Sequence, residues 1–479
     1  MNFVSLEFIL FVLATVIICQ NCHYAKMRQL ALLATSIYFI STYMLDSISA
    51  GLLTLFLGIG YIFIMGASTF SSQTYITTAV CAMVVIFVYL KKFFFLTLIG
   101  LPFLYSTVGL SYILFRIIGL IVDLSNGDIE RRPDFTAYIV YTCGFTTFLS
   151  GPVQSWLSFR DQYEKQPVPI TEPEVLQSVS RIATGYFKLA VIGAICEYVF
   201  SNLSVQLGAP SGIQPRVTIL FQYIMSVATY TGYLYYNFSG YMDIVIGIGG
   251  LLQFKLPENF NEPFSSTSFL EFWQRWHMTM SQWFKTYLFT PFMMMMMNRF
   301  PQKRYSTAIG LGAFFITFLV MGIWHGSTMV FVIYGTLMAF GACTNKLWQT
   351  MIPRYLGKVG YKNLQKKPAY NQICRGLTFA FFSLALTCLW ISDIPRLFNL
   401  AGLLGVTGFG LSLGVLTLCF VVFSCLWDLR RFLNLNLLSA LYAKIYPFAT
   451  ITKCAATVLL VLFVAAVLNK SPEFVYKAF

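Results

Sequence analysis

Long apolar runs separated by short polar stretches make up most of this chain, and they restrict the folds open to it. The runs that could each form a membrane-spanning helix are residues 3–20, 29–45, 49–67, 76–90, 93–106, 108–124, 135–150, 181–202, 216–236, 306–323, 328–346, 374–391, 399–423 and 451–468. A helix needs about 20 apolar residues to cross a bilayer core, and lipid offers no partner to an unpaired backbone group. The runs therefore predict an all-α polytopic membrane protein with about 11 to 13 transmembrane helices, in which short runs such as 93–106 are re-entrant.

Charged residues are scarce and lie in short clusters. They make up 10% of the 479 residues, against roughly 25% in an ordinary soluble domain. The net charge of +14 comes from clusters such as Lys91-Lys92, Arg131-Arg132 and Arg430-Arg431, which are typical of loops held on the cytoplasmic side of a membrane. No basic face with interleaved aromatic residues is present, so nucleic-acid binding is not expected. This composition excludes a soluble enzyme and predicts a single integral-membrane domain over residues 1–479.

One stretch, residues 251–300, breaks the apolar pattern. Its first part, Leu256 to Phe264, contains two prolines, two asparagines and two glutamates, so it cannot form a lipid-facing helix. Non-helical backbone at membrane depth is stable only inside protein or beside a water-filled cavity. Asn259 and Asn261 are therefore predicted to line a central cavity.

A helix is predicted directly after this segment. Ser268 and Glu271 match a capping box. Beyond them, aromatic and apolar residues recur at helical spacing, and polar residues lie mostly on the other side: Trp273, Trp276, His277, Met280, Trp283, Phe284 and Tyr287 against Gln274, Arg275, Gln282 and Lys285. This pattern is typical of an amphipathic helix in the membrane interface. The alternative is a tryptophan-rich helix that only anchors the protein.

Histidine is the side chain best suited to act as a general base, and the chain has only three. His277 lies on the aromatic side of the predicted helix, and His325 lies between two apolar runs. An ionisable residue at membrane depth is a functional candidate. The alternative for each is a structural histidine bonded to a carbonyl group. Asp243, also embedded in an apolar run, is predicted to pair with a charge on another helix.

The sequence shows no cluster of metal-ligating residues, and no tightly bound cofactor is expected. The stretch Cys19 to His23 fits the C-x-x-C-H pattern of covalent haem attachment. The alternative is that it ends the first span. Lys26 and Arg28 favour this alternative, because they indicate the cytoplasmic side of the membrane, where haem is not attached in this way.

Six short motifs resemble those of the membrane-bound O-acyltransferase family, and the likeness is strongest to its bacterial branch. They are Gly109-Leu110-Ser111-Tyr112 with Phe115-Arg116, Leu149-Ser150-Gly151-Pro152, Phe238-Ser239-Gly240-Tyr241-x-Asp243, Leu256-Pro257-Glu258-Asn259-Phe260-Asn261, Phe272-Trp273-x-Arg275-Trp276-His277 and Gly322-x-Trp324-His325-Gly326. The motif-dense core covers residues 109–346. Several motifs in order are far more specific than any one of them alone.

The resemblance implies an acyltransferase of the bacterial cytoplasmic (inner) membrane, built as a ring of tilted helices around a central pore. It implies an acyl donor that approaches from the cytoplasm, either acetyl-CoA or an acyl-carrier thioester, and an acceptor hydroxyl on the outer side. His325 matches the family's catalytic histidine, and His277 matches its second histidine. The other motif residues expected to line the cavity or bind substrate are Trp324, Asp243, Asn259, Asn261, Arg275 and Trp276.

The resemblance leaves the acyl group and the acceptor open. Transfer of acetyl to an envelope glycan, through a periplasmic or extracellular acyltransferase partner, is the leading expectation. The alternative is transfer of D-alanine from a carrier protein to teichoic acid. A glycan transporter and a non-catalytic scaffold are further alternatives. Transporters, however, tend to have corresponding broken helices in two halves, and the broken segment occurs once here.

This chain departs from the acetylating members of the family in three places. Those members usually carry Gly-Gly-Asn-Arg where the methionine run of this chain leads to Asn298-Arg299. They often have a further histidine near the position of Leu337-Met338, and usually an aspartate at the position of Asn237. Because of these differences, the resemblance is a weaker basis for assigning a particular acyl group or acceptor to this chain.

Overall fold

The fold is all-α, as predicted. A computed structural model describes residues 3–44, 46–70, 72–97, 109–208, 215–391, 393–433 and 437–468. The α-helices, in chain order, are α1 (Leu6–Gln20), α2 (Ala25–Ser41), α3 (Ser47–Ala67), α4 (Gln73–Leu90), α5 (Phe94–Thr97), α6 (Leu110–Ser125), α7 (Phe135–Cys143), α8 (Trp156–Tyr163), α9 (Glu172–Tyr186), α10 (Ala194–Gly208), α11 (Arg216–Leu251), α12 (Phe269–Trp273), α13 (Met278–Phe284), α14 (Thr290–Arg299), α15 (Ser306–His325), α16 (Val330–Gln365), α17 (Pro368–Ala385), α18 (Thr387–Trp390), α19 (Ile394–Leu433) and α20 (Leu437–Leu468). Two π-helical segments (Phe187–Gly193 and Lys285–Phe289) and two 3₁₀ turns (Pro263–Ser265 and Lys303–Tyr305) complete the helical elements of the described residues.

Eight helical segments of the described residues are long and apolar enough to cross a membrane. They are Ser47–Ala67, Gln73–Leu90, Glu172–Val205, Lys303–His325, Val330–Gln365, Pro368–Trp390, Ile394–Asp428 and Phe448–Leu468. Helix α1 is apolar but shorter. The multi-pass class is thereby confirmed, and the number of crossings stays a prediction. Most of the short run 93–106 lies outside the described residues.

Two polar stretches that the sequence indicates as loops are largely helical. Residues 156–178 contain α8 and the beginning of α9, and residues 352–373 belong mostly to α16 and α17. The prolines of residues 156–178 and the polar, basic composition of residues 352–373 favour loops, but neither feature excludes a helix. Pro173 and Pro368 lie in the first turn of α9 and α17, where the missing N–H has no helical partner to lose.

The chain divides into two compact units. Unit one comprises Met1–Val191, Asn237–Glu258 and Thr450–Phe479, and unit two comprises Ile192–Tyr236 and Asn259–Ala449. His277 and His325 both belong to unit two, and Asp243 belongs to unit one.

Helix α6 forms the centre of unit one, since every residue from Leu110 to Ile121 is buried. It packs against α3 and α4. Arg116 is 1% exposed, and its guanidinium donates to the carbonyl oxygens of Thr142 (2.8 Å) and Thr147 (2.7 Å). Thr142 lies in the last turn of α7, where backbone carbonyls lack helical partners. These carbonyls therefore satisfy a charged group that would otherwise be costly to bury.

Within unit two, α15 packs extensively against α16, and α17 packs extensively against α19. The hydrophobic core of this unit includes the first half of α11, where Tyr223 and Val227 are fully buried. The Tyr223 hydroxyl lies 3.0 Å from the Thr387 hydroxyl. The short helix α12 packs on α16, and α14 packs on α15. The long helices thus carry the short elements between residues 259 and 299.

Candidate active site

Residues 259–261 run antiparallel to residues 275–278, so the predicted non-helical segment is confirmed. The Asn261 N–H donates to the Arg275 carbonyl (2.9 Å), and the Met278 N–H donates to the Asn259 carbonyl (3.0 Å). These bonds give the irregular backbone the partners that it needs away from water. They also bring Asn259 beside His277.

The predicted amphipathic helix is not continuous, and the prediction of one helix is wrong at this point. Helix α12 ends at Trp273, and α13 begins at Met278. Between them the chain turns, and His277 adopts the left-handed conformation (φ 47°, ψ 49°). Helical spacing could not reveal this break, because residues 274–277 contain no glycine or proline to signal a helix end.

His277 is fully buried and lies outside the candidate membrane spans. Its Nδ1 lies 3.3 Å from the side-chain oxygen of Asn259. Burial lowers the pKa of His277 well below its usual range, and a positive charge on His325 lowers it further. The ring is therefore neutral at pH 7.

His325 is the last residue of α15 and is 5% exposed. Its ring lies edge-on to Tyr334, with 5.6 Å between ring centroids, and 4.8 Å from the ring of Trp324. Tyr334 belongs to α16, so the two helices hold the imidazole from both sides of the turn that joins them. The sequence places His325 between two apolar runs, and in the structure it lies between the two helices that those runs form.

The glycines of the Gly322-x-Trp324-His325-Gly326 motif allow close packing around the histidine. A β-carbon at Gly322 would lie 2.2 Å from the Cα of Gly335 on α16, and one at Gly326 would lie 2.0 Å from the Phe331 ring. The backbones of α15 and α16 are therefore in direct contact, as small residues permit between membrane helices.

Gly322→Ala is expected to lower the free energy of unfolding by about 1–3 kcal/mol, the usual cost of overpacking. Gly310→Ala is the matched control, because Gly310 lies on the same helix and a β-carbon added there would have nothing within 4 Å. The control is expected to be neutral or stabilising by up to about 1 kcal/mol, since alanine favours helix over glycine. Thermal unfolding in detergent compares them, and equal stability would contradict the close approach of α15 and α16.

Trp276 is buried in an aromatic cluster of unit two. Its ring centroid lies 5.0 Å from that of Phe260, 5.4 Å from Phe272, 5.3 Å from Phe382 and 5.8 Å from Tyr235. These rings come from the non-helical segment, α12, α17 and α11. The cluster fixes the turn that precedes His277. Contact of Trp276 and Trp324 with substrate stays a prediction.

Arg275 ties the same turn to the segment beside it. Its guanidinium pairs with Glu271 (3.1 Å) and donates to the Ser265 hydroxyl (3.2 Å) and the Asn261 carbonyl (3.4 Å). The Asn261 side chain is exposed, whereas Asn259 is fully buried. Of the two asparagines, Asn261 is thus the one whose side chain is accessible to solvent or substrate.

Cysteine labelling tests whether Asn261 lines a cavity. In a background without the exposed native cysteines Cys81, Cys419 and Cys425, Asn261→Cys is expected to react with a water-soluble thiol reagent. Asn259→Cys is the control and is expected to stay unlabelled in the folded protein, because that position is 0% exposed. Labelling of Asn261→Cys by a lipid-soluble reagent alone would refute the cavity placement.

Asp243 is the centre of an ion network in unit one. Its carboxylate accepts from Arg181 Nε (3.1 Å) and Lys188 Nζ (2.6 Å), and Arg181 also donates two 2.6 Å bonds to Glu258. The prediction that Asp243 pairs with a charge on another helix is confirmed, since Arg181 lies on α9 and Asp243 on α11. Its role in binding substrate stays a prediction.

Sequence reasoning missed two residues that contact the site. Thr279 donates to the Asn259 side-chain oxygen from its N–H (3.1 Å) and from its hydroxyl (2.9 Å). No pattern indicated Thr279, because the left-handed turn at His277 brings it into position. Tyr334 could have been found, because the first turns of a helix that follows a short turn lie against the last turns of the preceding helix.

No group of three His, Cys, Asp or Glu side chains in the described parts of the chain is arranged to hold a metal ion.

The all-α multi-pass fold defines a class, an integral-membrane protein, and unit two of this chain buries two histidines. Residues 102–390 match the model of the membrane-bound O-acyltransferase family, and this chain belongs to that family. It is accordingly an acyltransferase.

Curated relatives share about three residues in ten with this chain. It is 28% identical over 315 residues to the teichoic acid D-alanyltransferase of Streptococcus thermophilus, an alignment that covers 62% of this chain and 72% of the relative. It is 30% identical over 236 residues to the enzyme of the same name from Bacillus subtilis (48% and 57% covered). It is 28% identical over 246 residues to a probable alginate O-acetylase of Pseudomonas aeruginosa (50% and 42% covered). The chain thus spans less than half the length of that last relative.

Proposed function

We propose that this chain transfers an acyl group, acetyl in the leading case, from a cytoplasmic thioester to a hydroxyl group outside the cytoplasm. The acceptor is an envelope glycan or a periplasmic or extracellular partner acyltransferase. The observation that carries the proposal is the burial of two histidines, His277 and His325, in one compact unit of a multi-pass member of an acyltransferase family.

His325 is the proposed general base. It takes the proton of the acceptor hydroxyl while the hydroxyl oxygen attacks the thioester carbonyl carbon. The C–S bond of the resulting tetrahedral intermediate then breaks, and the leaving thiolate takes the proton back from the imidazolium. The products are an oxygen ester and a free thiol. Burial among Trp324 and Tyr334 supports this role, because a dry site strengthens the interactions that stabilise developing charge.

The cytoplasmic (inner) membrane of a bacterium is the proposed location, with membrane lipid around the apolar helices. The three relatives named above are bacterial. Exposed lysines in the last turns of α16 and directly after it, among them Lys358, Lys362 and Lys366, support a cytoplasmic position for that end. Their charge would also attract the phosphate groups of acetyl-CoA or of a carrier-bound thioester.

D-alanyl transfer to teichoic acid is the second candidate. The alignment with the D-alanyltransferase of Streptococcus thermophilus covers 72% of that protein, against 42% of the alginate relative. Asn237, where acetylating relatives usually have aspartate, weakens the case for acetyl as the transferred group. An acetyl group is uncharged, whereas a D-alanyl group carries an ammonium that needs a carboxylate or an aromatic face. Trp324 and Tyr334 offer aromatic rings of that kind beside His325.

Transfer assays separate the two candidates. Membranes that contain the protein are supplied with labelled acetyl-CoA or with a labelled D-alanyl carrier, and base-labile label on envelope glycan is counted. We expect membranes with the wild-type protein to incorporate label from acetyl-CoA. We expect His325→Ala membranes to incorporate none. Label from the D-alanyl carrier alone would establish the second candidate. Label from neither donor, with the protein shown to be folded, would contradict both.

A further inference from the structure

The neighbours of Asn259 determine which way its side-chain amide points. The oxygen and nitrogen of an amide are nearly alike in shape, so their assignment rests on hydrogen-bond partners. The backbone N–H of Thr279, 3.1 Å away, can only donate. The atom that faces it must therefore be the oxygen Oδ1. The Thr279 hydroxyl lies 2.9 Å from the same atom and donates a second bond.

His277 Nδ1 faces this same oxygen at 3.3 Å. The amide oxygen carries no hydrogen, so a hydrogen bond here requires the proton to be on Nδ1. A neutral imidazole has one N–H, and its other nitrogen is an acceptor. We infer that Asn259 holds His277 as the Nδ1–H tautomer, with the lone pair on Nε2.

Asn259 is well placed to hold the ring still. Its side chain is 0% exposed. Its backbone carbonyl accepts a hydrogen bond from the Met278 N–H (3.0 Å). The main chain and the side chain of Asn259 therefore both bind the left-handed turn at His277. Asn259 is thus a positioning residue that acts through His277, in the way that partners of a catalytic histidine fix its tautomer.

The tautomer decides what His277 can do. With its lone pair on Nε2, the neutral ring accepts a proton or a hydrogen bond at that atom and cannot donate one to an oxyanion. Under the proposed function, on which this consequence rests, His277 serves the step that removes the hydroxyl proton. The tetrahedral oxyanion is then stabilised by other donors.

Ring ¹⁵N NMR tests the inference directly, because the chain has only three histidines. The full-length protein is labelled with ¹⁵N-histidine in detergent, and the His277 signals are identified by their loss in His277→Asn. Protonated and unprotonated ring nitrogens differ widely in chemical shift, and long-range couplings to the ring protons distinguish Nδ1 from Nε2. The expected result is an Nδ1–H ring at His277. An Nε2–H ring in the wild-type protein would overturn the inference.

Variants of Asn259 complete the test. Asn259→Ala is expected to release the Nδ1–H tautomer and to lower kcat by about 10–100-fold with KM little changed, as for other partners that orient a functional histidine. Asn261→Ala is the control for the NMR measurement and is expected to leave the tautomer unchanged. Should Asn259→Ala fail to fold, Asn259→Asp takes its place. It keeps an acceptor of the same shape, so it should retain Nδ1–H and shift the pH–rate profile upward, since a carboxylate favours the charged imidazole.

The outcomes separate this inference from the proposed function. Nδ1–H at His277 without acyl transfer from any donor would reject the proposed function and leave the tautomer assignment standing. Acyl transfer with Nε2–H at His277, or a tautomer that does not respond to Asn259→Ala, would reject the inference and leave the proposed function standing.

Discussion

His325→Ala is expected to slow acyl transfer by about 10²–10⁴-fold, the usual contribution of a general base. This corresponds to roughly 3–5 kcal/mol of activation barrier. The reason is that His325 is held, nearly dry, between Trp324 and Tyr334, where no water can readily replace it as a base. The rate is measured with the donor that the transfer assay selects, and thermal unfolding shows that the variant is folded.

His23→Ala is the matched control for this experiment. His23 is an exposed histidine after the end of α1, and its replacement is expected to leave the rate within about twofold of the wild type, since exposed sites tolerate substitution. Normal acylation by His325→Ala would show that the base lies elsewhere, or that the chain is a non-catalytic scaffold.

His277→Asn is expected to produce the second large effect, a loss of about 10²-fold or more in kcat, because the hydrogen-bond acceptor that His277 supplies to the proton-removing step is lost. Asparagine tolerates the left-handed conformation better than other side chains except glycine, so the turn at His277 should be kept. The free energy of unfolding is therefore expected to change by less than about 1 kcal/mol. Turnover and thermal unfolding are measured on the same preparation.

His277→Gln and His277→Ala distinguish a chemical role from a structural one. Glutamine keeps hydrogen-bonding capacity without titration, so it is expected to be nearly as inactive as asparagine. Near-full turnover in His277→Gln, together with a lowered melting temperature in His277→Ala, would make His277 structural and leave His325 as the only base.

The sequence predicted the class of fold and the irregular segment for clear physical reasons. Apolar runs of about 20 residues have few alternatives to transmembrane helices. The prolines and asparagines of residues 256–264 exclude a lipid-facing helix, and the structure has non-helical backbone over residues 256–262, followed by the 3₁₀ turn Pro263–Ser265. Both results depend on composition within a short window, which a single sequence contains in full.

The details of the site depend on contacts that a single sequence does not reveal. The break before α13 is set by Asn259 and Thr279 acting on the turn at His277, not by a local helix-ending signal. The capping box shows the same limit. Ser268 does accept from the Glu271 N–H (3.2 Å), but the Glu271 carboxylate binds the N–H of Thr267 (2.8 Å), one residue before the expected partner.

The motif glycines gained a physical explanation only from the structure. From the sequence, Gly322 and Gly326 are part of a family resemblance. In unit two they allow α15 to approach α16 closely beside His325. Because the partner glycine, Gly335, lies on another helix, spacing along the chain could not show that these glycines were needed for packing.

Acyl transfer across the membrane through the histidine site is the central claim, and inside-out membrane vesicles test it most directly. A labelled acyl thioester is added outside, on the cytoplasmic face, and ester-linked label on the acceptor enclosed in the lumen is counted over a single turnover. We predict lumenal ester with the wild type and with His23→Ala, and almost none with His325→Ala. Lumenal ester in equal amount from His325→Ala vesicles, or ester formed only when the donor is enclosed with the acceptor, would contradict the account.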